Sequence, residues 1–529
     1  MDRGEDIWGL APSPDFRYLL TAGNDQIVKV WNLSTGHPLV SLFVAGDEWV
    51  AWTPEGYYAA SLAGESLMGW HINQGPTQLA AFYPASQFHK SLYRPDVIRG
   101  LLSSGDVYKS LELADAQRTI HSQKLAIADV LPPQITITSP SEPQIELHDS
   151  KLTIEASAKP ADQDPITALR LIVNGRPYGE PKAVAAQPAD PAAAIAEKWT
   201  VELPPGPHQI RVKAETADSY GLSQPLDVTQ GRATSKSHGP QLDEANPAGA
   251  GEELPRAAAP AGKLYVLAIG ADPNATSTSP SADAKDAQAI AAELTRDGRL
   301  QFDAVVTRVL ADRQANAATV DAALAEMRSQ MTLADTGIVY YAGHASVDAQ
   351  GEYVLGASRQ PSPAETSGEI SATKLKSQLA AIAGRLVLML DVTHTDEHAR
   401  REANSGFCGS SEKQDQADRV EAAASQWQRE LLTEDYGVVV IGGSRHTAAT
   451  KSTSAAGQSV LAQALVEAIQ GRADSDHDGT VYLHELAPYV IERVRTLSGG
   501  KQTPTIDRPH GVPSFPLARP GESLPEKQP

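Results

Sequence analysis

Beyond Lys263 the chain alternates short apolar runs, LYVLAIG, FDAVVTRVL, GIVYYAG, RLVLMLDV and YGVVVIGG, with amphipathic stretches at 282–296, 318–331, 371–383 and 417–431. Uninterrupted runs of this length read as parallel strands buried on both faces, and apolar spacing of three and four between them reads as covering helices. The pattern therefore predicts an α/β domain over 263–518, with a mostly parallel sheet and helices on both faces. Upstream the period changes. ITITSP, LTIEASA, ALRLIVNG, KWTVELPPG and HQIRVKAET alternate with period two between Pro and Gly punctuation, which predicts an antiparallel β-sandwich over 133–230. Residues 231–262, rich in Ala, Gly, Pro and Ser, offer too little apolar surface to offset the entropy of ordering, and a flexible linker is expected there.

The first 85 residues contain two similar phrases, LLTAGNDQIVKVWNLSTG and YYAASLAGESLMGWHINQG, each placing a tryptophan (Trp31, Trp70) before a polar turn. Their spacing resembles that of WD-repeat propeller blades, with Trp31-Asn32 where that family has Trp-Asp. Two generic β-hairpins fit the same residues. A propeller closes with about four to eight blades, so the resemblance implies partial β-propeller blades over 1–85, with a second chain as one way to complete them. Val97, Ile98, Leu101 and Leu102 predict short helices in a connector over 86–132, ended by Pro132-Pro133. The sandwich is similar to bacterial immunoglobulin-like modules, and 519–529 reads as a tail. The fold class expected is multidomain.

Charge narrows the partners. With 65 acidic and 45 basic residues the net charge is −20, and no cluster of Lys and Arg is available to track phosphates, so nucleic acid is not an expected partner. Cys408 is the sole cysteine, which excludes an intrachain disulfide and fits a reducing compartment. No basic-then-apolar leader and no run approaching about 18 apolar residues is seen, so a cytoplasmic protein without a membrane partner is expected.

In open parallel sheets functional groups gather past the carboxyl ends of the strands. Two runs end in chemistry: one in Gly343-His344, the other in Asp391-Val392-Thr393-His394. Together with Asp283-Ala284-Lys285-Asp286-Ala287 these resemble the caspase-like and metacaspase-like cysteine peptidases. Tyr340-Tyr341-Ala342-Gly343-His344 is similar to that family's Tyr-Tyr/Phe-x-Gly-His-Gly signature, with Ala345 for the last glycine. Asp391 to Asp396 stands where the family has Asp-x-Cys-His-Ser-Gly, with Thr393 for the cysteine. The resemblance implies that His344 is the general base, that Thr393 holds the nucleophile position, and that Asp286 and Asp391 line a pocket accepting Arg or Lys.

A cysteine is partly thiolate near neutral pH, whereas a threonine hydroxyl must lose its proton during attack, and threonine nucleophiles rely on a free N-terminal amine that an interior residue lacks. The branched Cβ of Thr393 also stiffens it. The sequence therefore points to a catalytically inactive peptidase homologue acting as a scaffold or regulator that binds proteins or peptides with basic segments. The alternative is a working endopeptidase cleaving after Arg or Lys. Cys408, fifteen residues downstream of Thr393, reads as an inert or oxidisable loop thiol. His394-Thr395-Asp396-Glu397-His398 also fits the H-x-x-E-H pattern of zinc hydrolases, with His394 and His398 on one helical face. The caspase-like signature already accounts for His394 and the flanking elements are wrong for that class, so a solvated polar helix start is the reading preferred over Zn²⁺.

The segment 474–485 fits an EF-hand-like loop. It offers carboxylates from Asp474, Asp476 and Asp478 at positions 1, 3 and 5, Gly479 at 6, the Thr480 carbonyl at 7, Tyr482 acting through a water at 9 and Glu485 at 12. Ca²⁺ in a structural role is expected; an acidic turn capping the next helix through Asp478 or Thr480 is the alternative.

Overall fold

The computed structural model describes residues 6–46, 48–73, 79–116, 127–161, 164–183, 193–231, 262–272, 280–357, 369–394, 410–433, 435–442, 458–509 and 511–521. The linker expected at 231–262 lies almost wholly outside them, as does most of the 519–529 tail.

The N-terminal strands Ile7–Pro12, Tyr18–Gly23, Ile27–Asn32, His37–Ala45, Glu48–Trp52 and Tyr58–Ala60 form one antiparallel sheet in chain order. A separate hairpin, Gly69–Ile72 with Ala81–Pro84, follows. The first tryptophan-bearing phrase lies within the six-stranded sheet, and the second runs from its last strand, Tyr58–Ala60, to the hairpin strand that carries Trp70. The helices Pro95–Ser104 and Val107–Asp115 cover one face, closing a core with Tyr18, Leu39, Tyr57 and Tyr58.

Residues 134–230 form a β-sandwich. One sheet runs in the order Ile195–Glu202, Lys151–Lys159, Gln134–Ser139; the other runs Gln144–Leu147, Leu226–Gln230, Gly206–Glu215, Ala168–Val173, Arg176–Ala183. Inward positions of both, such as Ile154, Trp199, Leu171, Val212 and Val228, share one core, as period-two alternation requires.

In the C-terminal domain the main path of the sheet is Ala304–Ala311, Lys263–Gly270, Thr336–Val347, Arg385–His394, Val439–Gly442, Thr505–Asp507, parallel except for the last strand, and Tyr353–Gly356 and Glu369–Ser371 add an antiparallel branch to Thr336–Val347. Alternate residues face opposite layers. Val266, Ile338, Tyr340 and Met389 pack under helices Ala282–Gly298, Val460–Glu467 and Leu483–Leu497. Leu267, Val339, Tyr341 and Leu388 pack under Ala317–Gln330, Ala372–Ala380 and Ser410–Leu431. The expected helices match the observed ones to within a few residues, save that the last begins at Ser410.

The three parts are joined by buried polar contacts. Arg429 donates to Ala60 O at 2.8 Å and lies 3.2 Å from Glu65. Arg176 donates from Nη2 to the carbonyls of Leu379 (2.9 Å) and Ile382 (2.8 Å). Lys213 reaches Asp435 at 2.6 Å.

Candidate functional site at the carboxyl ends of the strands

The site is built where the strands Thr336–Val347 and Arg385–His394 run side by side. Their parallel register pairs Ala342 with Asp391 and His344 with Thr393. Adjacent strands lie about 4.8 Å apart, so the histidine and the threonine are immediate neighbours. Because strand residues alternate faces, Tyr340 and His344 share the face that Asp391 and Thr393 occupy. That is the face under helices Ala282–Gly298 and Val460–Glu467. The structure thus places His344, Thr393 and Asp391, three residues singled out in the sequence, on one face of two adjacent strands. Thr393 is 8% exposed.

The end of the histidine strand is held from behind. Tyr341 Oη lies 2.8 Å from His344 O and 2.7 Å from Gly356 O, its single proton shared between the two carbonyls, and Ala271 N donates to Ala342 O at 2.8 Å. Gly343 sits in this crossing. A Cβ there would lie 2.6 Å from Tyr341 Oη and 2.9 Å from Ala271 O, so the close approach explains the glycine without any special dihedral.

Asp286 and Asp391 are 1% and 5% exposed and meet at a residue that sequence reasoning missed. Ser459 N donates to both oxygens of Asp286, at 3.3 and 3.2 Å. Ser459 Oγ donates to Asp391 Oδ2 in a very short contact, and Tyr340 Oη donates to the same oxygen at 3.3 Å. Burial first, then the charges of Asp391, Asp286 and Asp283, push the Tyr340 phenol well above its ordinary range, so it stays a donor. The sequence signal for Ser459 was present but pointed only to a helix start: a serine before the apolar run Val460-Leu461, whose Oγ accepts from Ala462 N at 3.0 Å. Nothing local announced that its other contacts are two aspartates far away in sequence.

The remaining predicted residues fall in two groups. His394 ends its strand opposite Ala345, but its side chain, with His398 and the rest of the zinc pattern, lies outside the described residues, as does Cys408. In the 474–485 loop, ligand atoms of Asp474, Asp476 and Asp478 lie within 4.8 Å of one another. Gly479 N donates to Asp474 Oδ2 at 2.9 Å and Thr480 N to Asp478 Oδ1 at 2.7 Å. Glu485 turns back under the loop, accepting from Ser475 N and Tyr482 N, each at 2.9 Å. Burial raises its pKa, but these backbone donors outweigh it and hold the carboxyl below its ordinary range.

A histidine and a hydroxyl paired across adjacent strand ends, with two buried aspartates behind them, is an arrangement that comparison with known families can name. Residues 266–512 match the caspase domain family. The match spans the whole site, from Asp286 through His344 and Thr393 to the acidic loop, so the C-terminal part of the chain carries a caspase-family domain with a mixed, mostly parallel sheet. No curated protein matches the chain. Among solved structures, protein GSU0716 from Geobacter sulfurreducens is 15% identical over 50% of this chain and 100% of its own, with a TM-score of 0.30. A chitin binding domain from Burkholderia pseudomallei is 13% identical over 17% of this chain and 57% of its own, and a Niemann-Pick type C2 protein from Japanese carpenter ant is 12% identical over 19% and 89%; both have TM-scores of 0.13. Scores this low carry no argument about fold. The caspase-family domain is shown by the family match alone, and among the described residues no helix is long and apolar enough to cross a membrane.

Proposed function

We propose that this chain is a caspase-like peptidase homologue that binds proteins or peptides with basic segments and does not cut them. One observation carries the reading: the residue in register with His344 is Thr393. A general base beside a secondary alcohol must remove a proton of very high pKa in the attack itself, without the thiolate character that lets a cysteine react. The acidic residues Asp286 and Asp391 beside it support recognition of Arg or Lys. The enzyme reading, an endopeptidase cleaving after those residues, is favoured by family membership, which speaks to fold more than to chemistry.

The test is hydrolysis of fluorogenic peptides ending in Arg or Lys by the full chain, by Thr393→Cys and by Thr393→Cys/His344→Ala. Cleavage by the single cysteine variant alone is expected; cleavage by the wild type would overturn the proposal.

Calcium belongs to the same reading. The 474–485 loop offers an all-oxygen donor set, suited to a hard cation, from Asp474, Asp476, Asp478, the Thr480 carbonyl and Glu485, with Tyr482 acting through water. Bound there, Ca²⁺ would supply charge that fixes the loop against Leu483–Leu497, a structural role. The sandwich reads as immunoglobulin-like, a view supported by its two sheets and by the parallel pairing of Gln144–Leu147 with Leu226–Gln230. For a second chain completing a propeller, the support is that Ile7–Pro12 forms the edge of its sheet among the described residues.

A further inference from the structure

Thr336 and Arg385 open neighbouring strands and stand in register with each other, at the end of the sheet opposite His344 and Thr393. Adjacent strands lie about 4.8 Å apart, so the two side chains are direct neighbours on the layer that holds Ile338, Val387 and Phe515. Each carries a polar atom that the fold does not use. Thr336 is fully buried, and neither its Oγ1 nor the buried Nε of Arg385 has a hydrogen-bond partner among the described residues. The guanidinium lies over the Phe515 ring, 5.7 Å from its centre. Burial pushes its pKa down, and no carboxylate among the described residues opposes the shift. Acids are not scarce in a chain with 65 of them against 45 bases. The nearest in sequence, Asp335, is engaged by Lys263 N at 2.7 Å, Thr332 N at 2.8 Å and Thr332 Oγ1 at 2.9 Å.

We infer that Arg385 and Thr336 form a binding site for a small oxyanion, a phosphate or carboxylate group, at the seam between the caspase-family domain and the sandwich. The guanidinium fork matches two oxygens of such a group, and the threonine hydroxyl adds a donor beside it. A water molecule could satisfy the two polar atoms but would leave the buried charge uncompensated, which is the costlier part of the arrangement. The sandwich side of the seam offers no competing base. His208 has its Nε2 2.7 Å from Pro204 O and its Nδ1 3.0 Å from Asn174 Nδ2, so both ring nitrogens are engaged. Burial first, and then the charge of Arg385, hold its pKa below the ordinary range against the Pro204 bond, which keeps the ring neutral at pH 7 and places Arg385 within electrostatic reach of the sandwich.

The experiment titrates inorganic phosphate and, separately, acetate into the full-length protein, with chloride holding the ionic strength constant. Heat of binding and melting temperature are read for the wild type, Thr336→Val and Arg385→Lys. Thr336→Val removes a hydroxyl that bonds no described residue, so the fold does not depend on it; Arg385→Lys keeps the charge and loses the fork. If Arg385→Lys does not fold by circular dichroism, Thr336→Val decides alone. The wild type is expected to bind saturably, with a rise in melting temperature that chloride does not give. Thr336→Val should weaken binding roughly tenfold, the loss of one charge-assisted hydrogen bond, and Arg385→Lys by more. Whichever anion binds more tightly names the ligand as a phosphate or a carboxylate, and either sustains the site. An equal response of the wild type and its variants marks general salt stabilisation and overturns it. Absence of saturable binding of both anions overturns it as well and leaves the two donors to water.

Discussion

Arg429 and Glu65 lie 3.2 Å apart although 364 positions separate them, the guanidinium on helix Ser410–Leu431 and the carboxylate beside the N-terminal sheet. The pair does not stand alone. His89 Nδ1 lies 2.8 Å from Glu65, Arg429 also donates to Ala60 O, and its guanidinium sits 4.7 Å from the centre of the Tyr93 ring. Burial would raise the Glu65 pKa, but the His89 bond and the charges of His89 and Arg429 outweigh it and bring it to about 2.

Removing one partner of such a pair strands the other. Glu65→Gln is expected to cost about 3–5 kcal/mol of unfolding free energy at neutral pH. The folded pKa of Glu65 lies below its ordinary value, so its stabilisation is fully present above the ordinary carboxylate range and is lost as pH falls toward about 2. Urea unfolding at pH 7 and pH 3 checks both points: the gap between wild type and Glu65→Gln should narrow in acid, and a gap independent of pH would contradict the assignment.

The junction between the sandwich and the caspase-family domain is as close-fitting. Gly437 has φ +59°, and a Cβ there would lie 2.2 Å from Gly175 O. Gly437→Ala combines a left-handed penalty of about 1–2 kcal/mol with a backbone clash. Hydrogen exchange is expected to quicken at the nearby Arg176 contacts, around Leu379 to Ile382, more than in the core strands; uniform exchange would count against a local junction.

Calcium is expected to raise the melting temperature of the full chain, by an amount equivalent to about 2.7 kcal/mol at a hundredfold excess over Kd. Asp474→Asn and Glu485→Gln should each abolish the shift. The absence of any shift at millimolar calcium would remove the site.

Gly343→Ala, placed in the Thr393→Cys background, should suppress peptide cleavage more than it lowers the melting temperature. The added methyl meets Tyr341 Oη, which holds the His344 carbonyl, so the base is displaced while the sheet behind it stays paired. Equal activity with and without the methyl would mean that the histidine strand is not held by this contact.

Much of this was legible because it is local. Buried parallel strands must be apolar throughout, so Leu386 to Leu390 announce themselves, and the strand-end rule puts His344 and Thr393 at the same height. The acidic loop is legible for the same reason, since its donors lie within twelve residues. Ser459 was not legible. Its sequence context specifies an N-cap, and only the packing of Val460–Glu467 against Ala282–Gly298 brings its amide to Asp286. The pairing of the N-terminal strands was not legible either, because a repeated phrase records strand length and turn position, not which neighbour a strand pairs with.

The stretch from Arg429 to Gly437 is gripped by the N-terminal sheet at one end and by the sandwich at the other. It connects the helix that follows the threonine strand to the strand that leads toward Ser459. A chain that reads in sequence as beads on a string is therefore assembled as a keystone arrangement. Transplanting the caspase-family domain alone would leave Arg429 without the Glu65 carboxylate and the carbonyls of Leu379 and Ile382 without the Arg176 guanidinium. A faithful excision has to carry Glu65 and Arg176 with it.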